Sequence, residues 1–188
     1  MIKIDKRFPT KATSLLKKTI GQQFIKYKCD PFTFNNCVFE RLGLYFEKDI
    51  LLLLNEVHVV DYYGTPEDIC LLEIFEAEDE DIKSGLEDTE QVSIPVNGIL
   101  KKITLVQERQ SLFKNNIQTY EVLITRGLIL HTDDGREIAF VKTNPFVEEI
   151  AIIRGNNLID EFPSVDSIKE GFKEEYSLEA ERYAEVIQ

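Results

Sequence analysis

The segment 120–142, YEVLITRGLILHTDDGREIAFVK, constrains the fold more than any other stretch of this sequence. Apolar residues alternate with other residue types on both sides of Asp134-Gly135, as is typical of strands with one buried face. The Asp-Gly pair is a strong signal for a tight hairpin turn, because glycine adopts positive φ without a Cβ clash. Gly127 lies inside the first strand, where an isolated glycine usually marks a bulge or a close backbone approach. The segment therefore predicts an antiparallel hairpin.

A second stretch, 39–55, has the same plan of a strand with a Gly-Leu pair, a short charged turn and an apolar strand. Gly43-Leu44 and Gly127-Leu128 are separated by roughly 80–90 residues, which is the size of a small repeated unit. Chance similarity between two generic hairpins is the alternative. The spacing favours two related β-modules. The N-terminal module covers 1–91 and ends in an acidic linker, the C-terminal module covers 92–188, and the two can also pack as one domain.

Other parts of the chain contain weaker signals. Alternation predicts a strand at 22–29, preceded by a short helix at 15–19. Thr65-Pro66 is followed by two acids and predicts the start of a short helix, since threonine caps a helix and proline is tolerated in its first turn. Segment 109–117 is polar and predicts a connection. Segment 76–91 is strongly acidic and predicts an exposed linker between the modules.

The C-terminal stretch 164–187 has a different hydrophobic period. Val165, Ile168, Phe172 and Tyr176 recur at helical spacing, which predicts an amphipathic helix that docks on the sheet. The predicted fold class is therefore α+β and β-rich, with two related antiparallel β-modules that arose by internal duplication and a C-terminal amphipathic helix.

The charge balance excludes some kinds of partner. The sequence contains 22 Lys and Arg residues against 34 Asp and Glu residues, a formal net charge of −12. This argues against nucleic acid as a partner, because such binding depends on Lys and Arg at phosphates, and against an anionic membrane. We find neither a long apolar run nor the apolar core of a signal peptide. Three cysteines are an odd number and fit reduced thiols in the cytoplasm.

Motifs for catalytic chemistry are not evident. The cysteine spacing fits no common zinc motif, and His58 and His131 are far apart in the sequence. The cysteines lie in apolar contexts, where a thiol is inert, and neither a nucleophile elbow nor a phosphate-binding loop occurs. We therefore predict no catalytic residue, no cofactor and no metal site. Arg41 and Arg126 lie near the Gly-Leu pairs and are predicted to form cross-strand ion pairs.

Two features are candidate contacts for a protein partner. One is an aromatic cluster beside Gly64, since aromatic residues are enriched at interfaces. The other is the acidic stretch, which would attract a basic partner. Packing of the aromatic residues and solvation of the acids are the simpler alternatives. The candidate contact residues are Tyr62, Tyr63, Glu78, Asp79, Glu80 and Asp81.

These patterns favour a small acidic protein of bacterial or phage type that acts without catalysis by binding another protein, as inhibitors, immunity proteins and accessory proteins do. A basic protein is one candidate partner. One alternative is a small-ligand enzyme whose carboxylates meet only in the folded chain. The other is a mimic of nucleic acid. A concave site with two or three acids of raised pKa would support the enzyme, whereas an acidic stripe would support the binder or the mimic.

Overall fold

The computed structural model describes residues 1–31, 36–61, 63–165 and 175–188. Within these residues the chain is dominated by strands, which confirms the β-rich class. The strands are β1 (Ile2–Lys6), β2 (Gln23–Cys29), β3 (Cys37–Phe39), β4 (Arg41–Phe46), β5 (Ile50–Asp61), β6 (Pro66–Glu76), β7 (Val92–Lys114), β8 (Ile117–Thr132), β9 (Glu137–Lys142), β10 (Glu149–Gly155) and β11 (Tyr176–Ile187). The described residues also form the α-helix α1 (Thr10–Thr19) and 3-10 helices at Asp79–Asp81 and Leu158–Glu161.

The long hairpin of β7 and β8 lies at the centre of the strand pairing. The first residues of β7 pair with β2. From Leu100 onward β7 pairs with β8, and from Ile103 onward it also pairs with β11. β8 in turn pairs with β9 near its end and with β1 near its start. The pairing is antiparallel except for β1, which runs parallel to β8. The strand order is β3-β10-β9-β8-β7-β2-β4-β5-β6, with β1 beside β8 and β11 beside β7.

The turn of this long hairpin was not predicted from the sequence. Asn115 and Asn116 have φ of 49° and 63°, and two successive positive φ values are what a two-residue type I′ hairpin turn requires. The prediction of a polar connection over 109–117 is therefore wrong. The segment is polar because it pairs beside the mostly exposed strand β11, and because Gln110 and its neighbours form side-chain hydrogen bonds.

The predicted hairpin over 120–142 is confirmed by the pairing of β8 with β9. A Cβ at Gly127 would lie 2.3 Å from the Phe140 carbonyl oxygen, so glycine is needed for the close approach of β9. The register of β7 and β8 shifts beside Gly127, and Arg126 is the extra residue of a β-bulge.

The two halves of the chain share a strand order. In the first half β2, β4, β5 and β6 pair in that order, and in the second half β7, β8, β9 and β10 do so. In each half a 3-10 helix follows the last of these strands, and an apolar side chain then packs over the glycine of the second strand. Ile82 packs over Gly43, and Phe162 packs over Gly127. The internal duplication itself stays a prediction.

The main hydrophobic core takes side chains from both halves and from α1. Its large buried members include Phe24 and Tyr27 of β2, Phe140 of β9 and Leu16 of α1. A smaller cluster joins the β5–β6 hairpin to β1 and β8, and consists of Val60, Ile69, Leu71 and Ile124, with Ile4 packed against them. The core is therefore shared by the predicted modules 1–91 and 92–188.

The predicted helix start at Thr65-Pro66 is wrong, and the predicted C-terminal helix is not confirmed. Pro66 is the first residue of the strand β6. Proline is tolerated there because it begins an edge strand. The C-terminal helix is replaced over residues 176–187 by β11, because pairing with twelve residues of β7 outweighs the helix propensity of its Glu and Ala residues. Ile168 and Phe172 lie outside the described residues. Of the described helices, none has the length and apolarity needed to cross a bilayer.

Gly127→Ala is expected to destabilise the protein more than Gly43→Ala. At Gly127 the added Cβ meets a backbone carbonyl at 2.3 Å, which cannot move without disturbing the β8–β9 pairing. At Gly43 the nearest atoms are side-chain carbons of Ile82 at 2.7 Å and Tyr45 at 2.9 Å, and side chains can shift more readily than a paired backbone carbonyl. We expect a loss of about 1–3 kcal/mol for Gly43→Ala, and a larger loss for Gly127→Ala, in urea unfolding.

The double variant Gly43→Ala/Ile82→Ala provides the control for this packing. Its loss of stability should be smaller than the sum of the two single losses, because the smaller side chain leaves room for the added Cβ. Additive losses, or equal losses at the two glycines, would contradict the packing described here.

Candidate functional site

Tyr63 is held inside the fold. Its hydroxyl donates a hydrogen bond to Gln110 Oε1, and its ring stands edge-on to Tyr120 with centroids 6.1 Å apart. The side chain is half-buried and joins the end of the β5–β6 hairpin to the β7–β8 hairpin. Tyr62 lies outside the described residues. A partner contact at Tyr63 stays a prediction, and its observed contacts are within the chain.

The acidic residues 78–81 are exposed and partly engaged in local structure. The side chains of Glu78 and Asp81 cap the 3-10 helix reciprocally. Asp79 Oδ1 accepts a hydrogen bond from the Tyr45 hydroxyl at 2.5 Å and lies 3.5 Å from Lys28 Nζ. These neighbours, Tyr45 foremost, hold the pKa of Asp79 below its ordinary value. Their role as partner contacts also stays a prediction.

A polar groove with a cavity volume of about 390 Å³ lies on β7, β8 and β11. Glu121, Glu179 and Glu181 contribute carboxylates to its lining, and Arg109 contributes the guanidinium. Arg109 Nη1 donates a hydrogen bond to Glu181 at 2.8 Å, and its Nε lies 3.7 Å from Glu121. Lys3 reaches Glu121 at 2.8 Å from β1. The lining has more acids than bases and therefore favours a cationic group.

Glu108 is the centre of a buried group of charges. Its carboxylate is fully shielded from solvent, and Arg182 Nη2 donates a hydrogen bond to it at 2.8 Å. Gln110 donates another at 2.7 Å, and Arg126 Nε lies 3.7 Å away. The bulge at Arg126 places this guanidinium on the same side of the sheet as Glu108. The predicted cross-strand ion pair of Arg126 is confirmed, whereas Arg41 pairs with its sequence neighbour Glu40.

Lys142 lies beside this group and is completely buried. Within the described residues no acceptor is within hydrogen-bond distance of its Nζ. Burial, and then the positive charge of Arg126, lower the pKa of Lys142 to about 7, against the opposing influence of Cys70 and Glu108. A lysine with a lowered pKa can act as a nucleophile, but only where a substrate can reach it. Complete burial favours a structural role.

Glu56, His58 and Glu73 form a half-buried cluster on the β5–β6 hairpin. Glu56 and His58 lie two residues apart in β5 and so share a face, and Glu73 comes from β6. His58 Nε2 lies 3.6 Å from a carboxylate oxygen of Glu73. Imidazole and carboxylate groups in this arrangement are the ligand types that divalent metals bind.

The shifted pKa values of acids and thiols do not favour acid–base or thiol catalysis. Hydrogen bonds lower the pKa of Asp5, through Arg7, and of Asp134, through Arg136 and then Thr132. A lowered pKa keeps a carboxyl group charged at neutral pH, the opposite of what a general acid needs. Burial raises the pKa of all three thiols, that of Cys29 to about 12, so the reactive thiolate is scarce.

Comparison of the chain with family models, curated proteins and solved structures finds no match. Functional inference therefore depends on the geometry of these residues.

Sequence patterns alone gave little indication of these clusters. Glu56 and His58 alternate within a strand, which is a usable signal, but their distance to Glu73 depends on the register of β5 and β6. Glu108 and Lys142 carry no signal except that each is a charged residue close to an apolar run in its strand. The polar groove was missed because the hydrophobic period of the C-terminal stretch predicted a helix in place of β11.

Lys142→Met is expected to increase stability at pH 7 and to flatten its rise at higher pH. Between the folded pKa of about 7 and the ordinary value of 10.5, the unfolded chain binds the Lys142 proton and the folded chain does not. The free energy of unfolding of the wild type therefore rises with pH in this window, by up to about 1.4 kcal/mol per pH unit from this residue. Urea unfolding at pH 6, 7.5 and 9 measures the difference between variant and wild type.

Lys101→Met is the matched control, because Lys101 is exposed in β7. Its difference from the wild type should be small and nearly independent of pH. If the two lysine variants show the same pH profile, the lowered pKa of Lys142 is refuted.

Proposed function

We propose that this chain is a non-catalytic protein-binding module, and that it binds an extended basic segment of a partner along β11. The observation that carries the proposal is the pairing of β11. Over its twelve residues it pairs, among the described parts of the chain, with β7 alone. An edge strand of this length presents a row of backbone N–H and C=O groups on its other side. A partner strand can pair with such an edge by β-augmentation.

The charges beside this edge indicate the chemistry of the partner. Glu179, Glu181 and Glu185 alternate along β11 and so share one face. All three are exposed, and the first two line the polar groove on β7, β8 and β11. Lysine or arginine side chains of a paired segment would project over this face at the same two-residue period. The net charge of −12 would also accelerate encounter with a basic partner.

The same charges disfavour pairing of β11 with a second copy of itself. In an antiparallel pair related by a two-fold axis, opposite residues share a face of the sheet. The glutamate faces of the two copies would then coincide, and like charges opposite each other are destabilising. The groove also contains Arg109, which a surface of uniform acidity that mimics nucleic acid would not need.

Two further properties belong to this proposal. We propose that the two halves arose by duplication, which their equivalent strand order and the packing of Ile82 and Phe162 over Gly43 and Gly127 support. We also propose a reducing compartment such as the cytoplasm, because all three cysteines are free. Tyr63 and the acidic residues 78–81 are proposed as secondary contacts.

The proposal is tested with a peptide of alternating lysine and threonine residues that is as long as β11. We expect this peptide to shift the backbone amide resonances of β11 and of the residues that line the polar groove in NMR titrations. Binding should weaken as salt is added, since exposed charges are screened. The same peptide with glutamate in place of lysine should not bind. Shifts confined to other surfaces, or none at all, would refute binding along this edge.

A charge-reversal pair of variants separates β11 from acidity in general. Glu179→Lys/Glu181→Lys/Glu185→Lys should abolish binding of the lysine peptide. The matched variant Glu76→Lys/Glu87→Lys/Glu90→Lys changes the net charge equally on exposed residues of the acidic stretch outside the secondary contacts, and it should retain binding. Equal losses in both variants would mean that net charge, and not the edge strand, determines binding. A loss confined to the second variant would identify the acidic stretch as the contact.

A further inference from the structure

The cluster of Glu56, His58 and Glu73 has the geometry of a metal site. One potential ligand atom from each residue lies within 4.8 Å of the other two. Atoms bonded to one ion at about 2.1 Å can lie no more than about 4.2 Å apart, so small side-chain rotations would bring all three into a single coordination shell. The backbone beneath them is fixed, because β5 and β6 pair without a register shift from Leu51 to Asp61.

The electrostatic state of the cluster favours a bound cation. Glu56 and Glu73 bring two carboxylates close together, and neither pairs with a lysine or arginine within the described residues. The side chains of His58 and Glu73 are 37% and 32% exposed, so the Glu73 carboxylate is only partly solvated. His58 Nε2 is shielded from solvent and has no hydrogen-bond partner in the described part of the chain. A cation at this position would bind the imidazole nitrogen and neutralise the two carboxylates.

We propose that Glu56, His58 and Glu73 bind a divalent first-row transition metal ion, with zinc as the reference case. The imidazole selects this class over magnesium and calcium, which prefer oxygen ligands. Three protein ligands on a partly exposed hairpin leave at least one coordination position for water or for a group of a partner. The site is distinct from the β11 surface and does not depend on the proposed peptide binding.

The ligand set predicts a specific effect on the fold. Two ligands come from β5 and one from β6, so the ion would cross-link the two strands of the hairpin. β6 is the last strand of the order and pairs only with β5 among the described strands. Metal binding should therefore protect the amides of β5 and β6 from hydrogen exchange more than those of other strands.

Titration of the reduced, metal-free full-length protein with zinc tests the proposal. Isothermal titration calorimetry should show one ion per chain. His58→Gln and Glu73→Gln should each weaken binding by about tenfold or more, since loss of even an outer-sphere partner of a metal ligand costs that much. Glu67→Gln is the matched control, because Glu67 is an exposed acid of β6 outside the cluster, and it should bind as the wild type does.

Two readouts on the unaltered protein keep the test independent of how the variants fold. Zinc should shift the ring ¹⁵N resonances of His58 and leave those of His131 unchanged. Cobalt in place of zinc should give a visible spectrum without the intense thiolate-to-metal band that cysteine ligands produce. The proposal fails if binding is absent, if His58→Gln and Glu67→Gln bind equally, if the shifted ring is that of His131, or if the thiolate band appears.

Discussion

The antiparallel pairing of β7 with β8 is the constraint on which the remaining structure depends. These two strands pair directly with β1, β2, β9 and β11, so the position of each of those strands follows from the register of this hairpin. The two-residue turn at Asn115-Asn116 fixes where the two strands begin to pair, and the register shifts along the pair fix the rest of the alignment. A slip of one residue would exchange the two faces of both strands and expose the core residues on them.

The bulge at Arg126 shows how this register produces the buried charges. It places Arg126 near Glu108, and Arg182 approaches the same carboxylate from β11. Such a group is weak evidence for stability, since desolvation of the charges offsets their attraction, but removal of one member leaves the others uncompensated. Lys142 lies in the same environment, and its burial, followed by the positive charge of Arg126, lowers its pKa. Misalignment of β7, β8 or β11 would separate these charges and leave them buried without their partners.

Acids on β11 and on the β5–β6 hairpin differ in their surroundings, and this difference separates their proposed roles. On β11 the carboxylates are spread along an exposed strand, and Glu181 already pairs with Arg109. This arrangement suits exchangeable contacts with basic side chains of a partner. On the β5–β6 hairpin, Glu56 and Glu73 converge on His58 without a neighbouring lysine or arginine in the described residues. That arrangement suits a compact divalent cation. Both sets also protect edges that would otherwise be prone to association.

The sequence by itself determined the hairpins at 39–55 and 120–142, because alternation and turn residues act over a few neighbouring positions. It also indicated the close approach at Gly127. Tertiary structure decided the strand β11, whose residues favour a helix locally and become a strand only because β7 supplies a full set of backbone partners. It likewise decided both clusters. The distance from His58 to Glu73, and that from Glu108 to Arg126, depend on strand register and on a bulge, and contacts between residues distant in sequence set both of these.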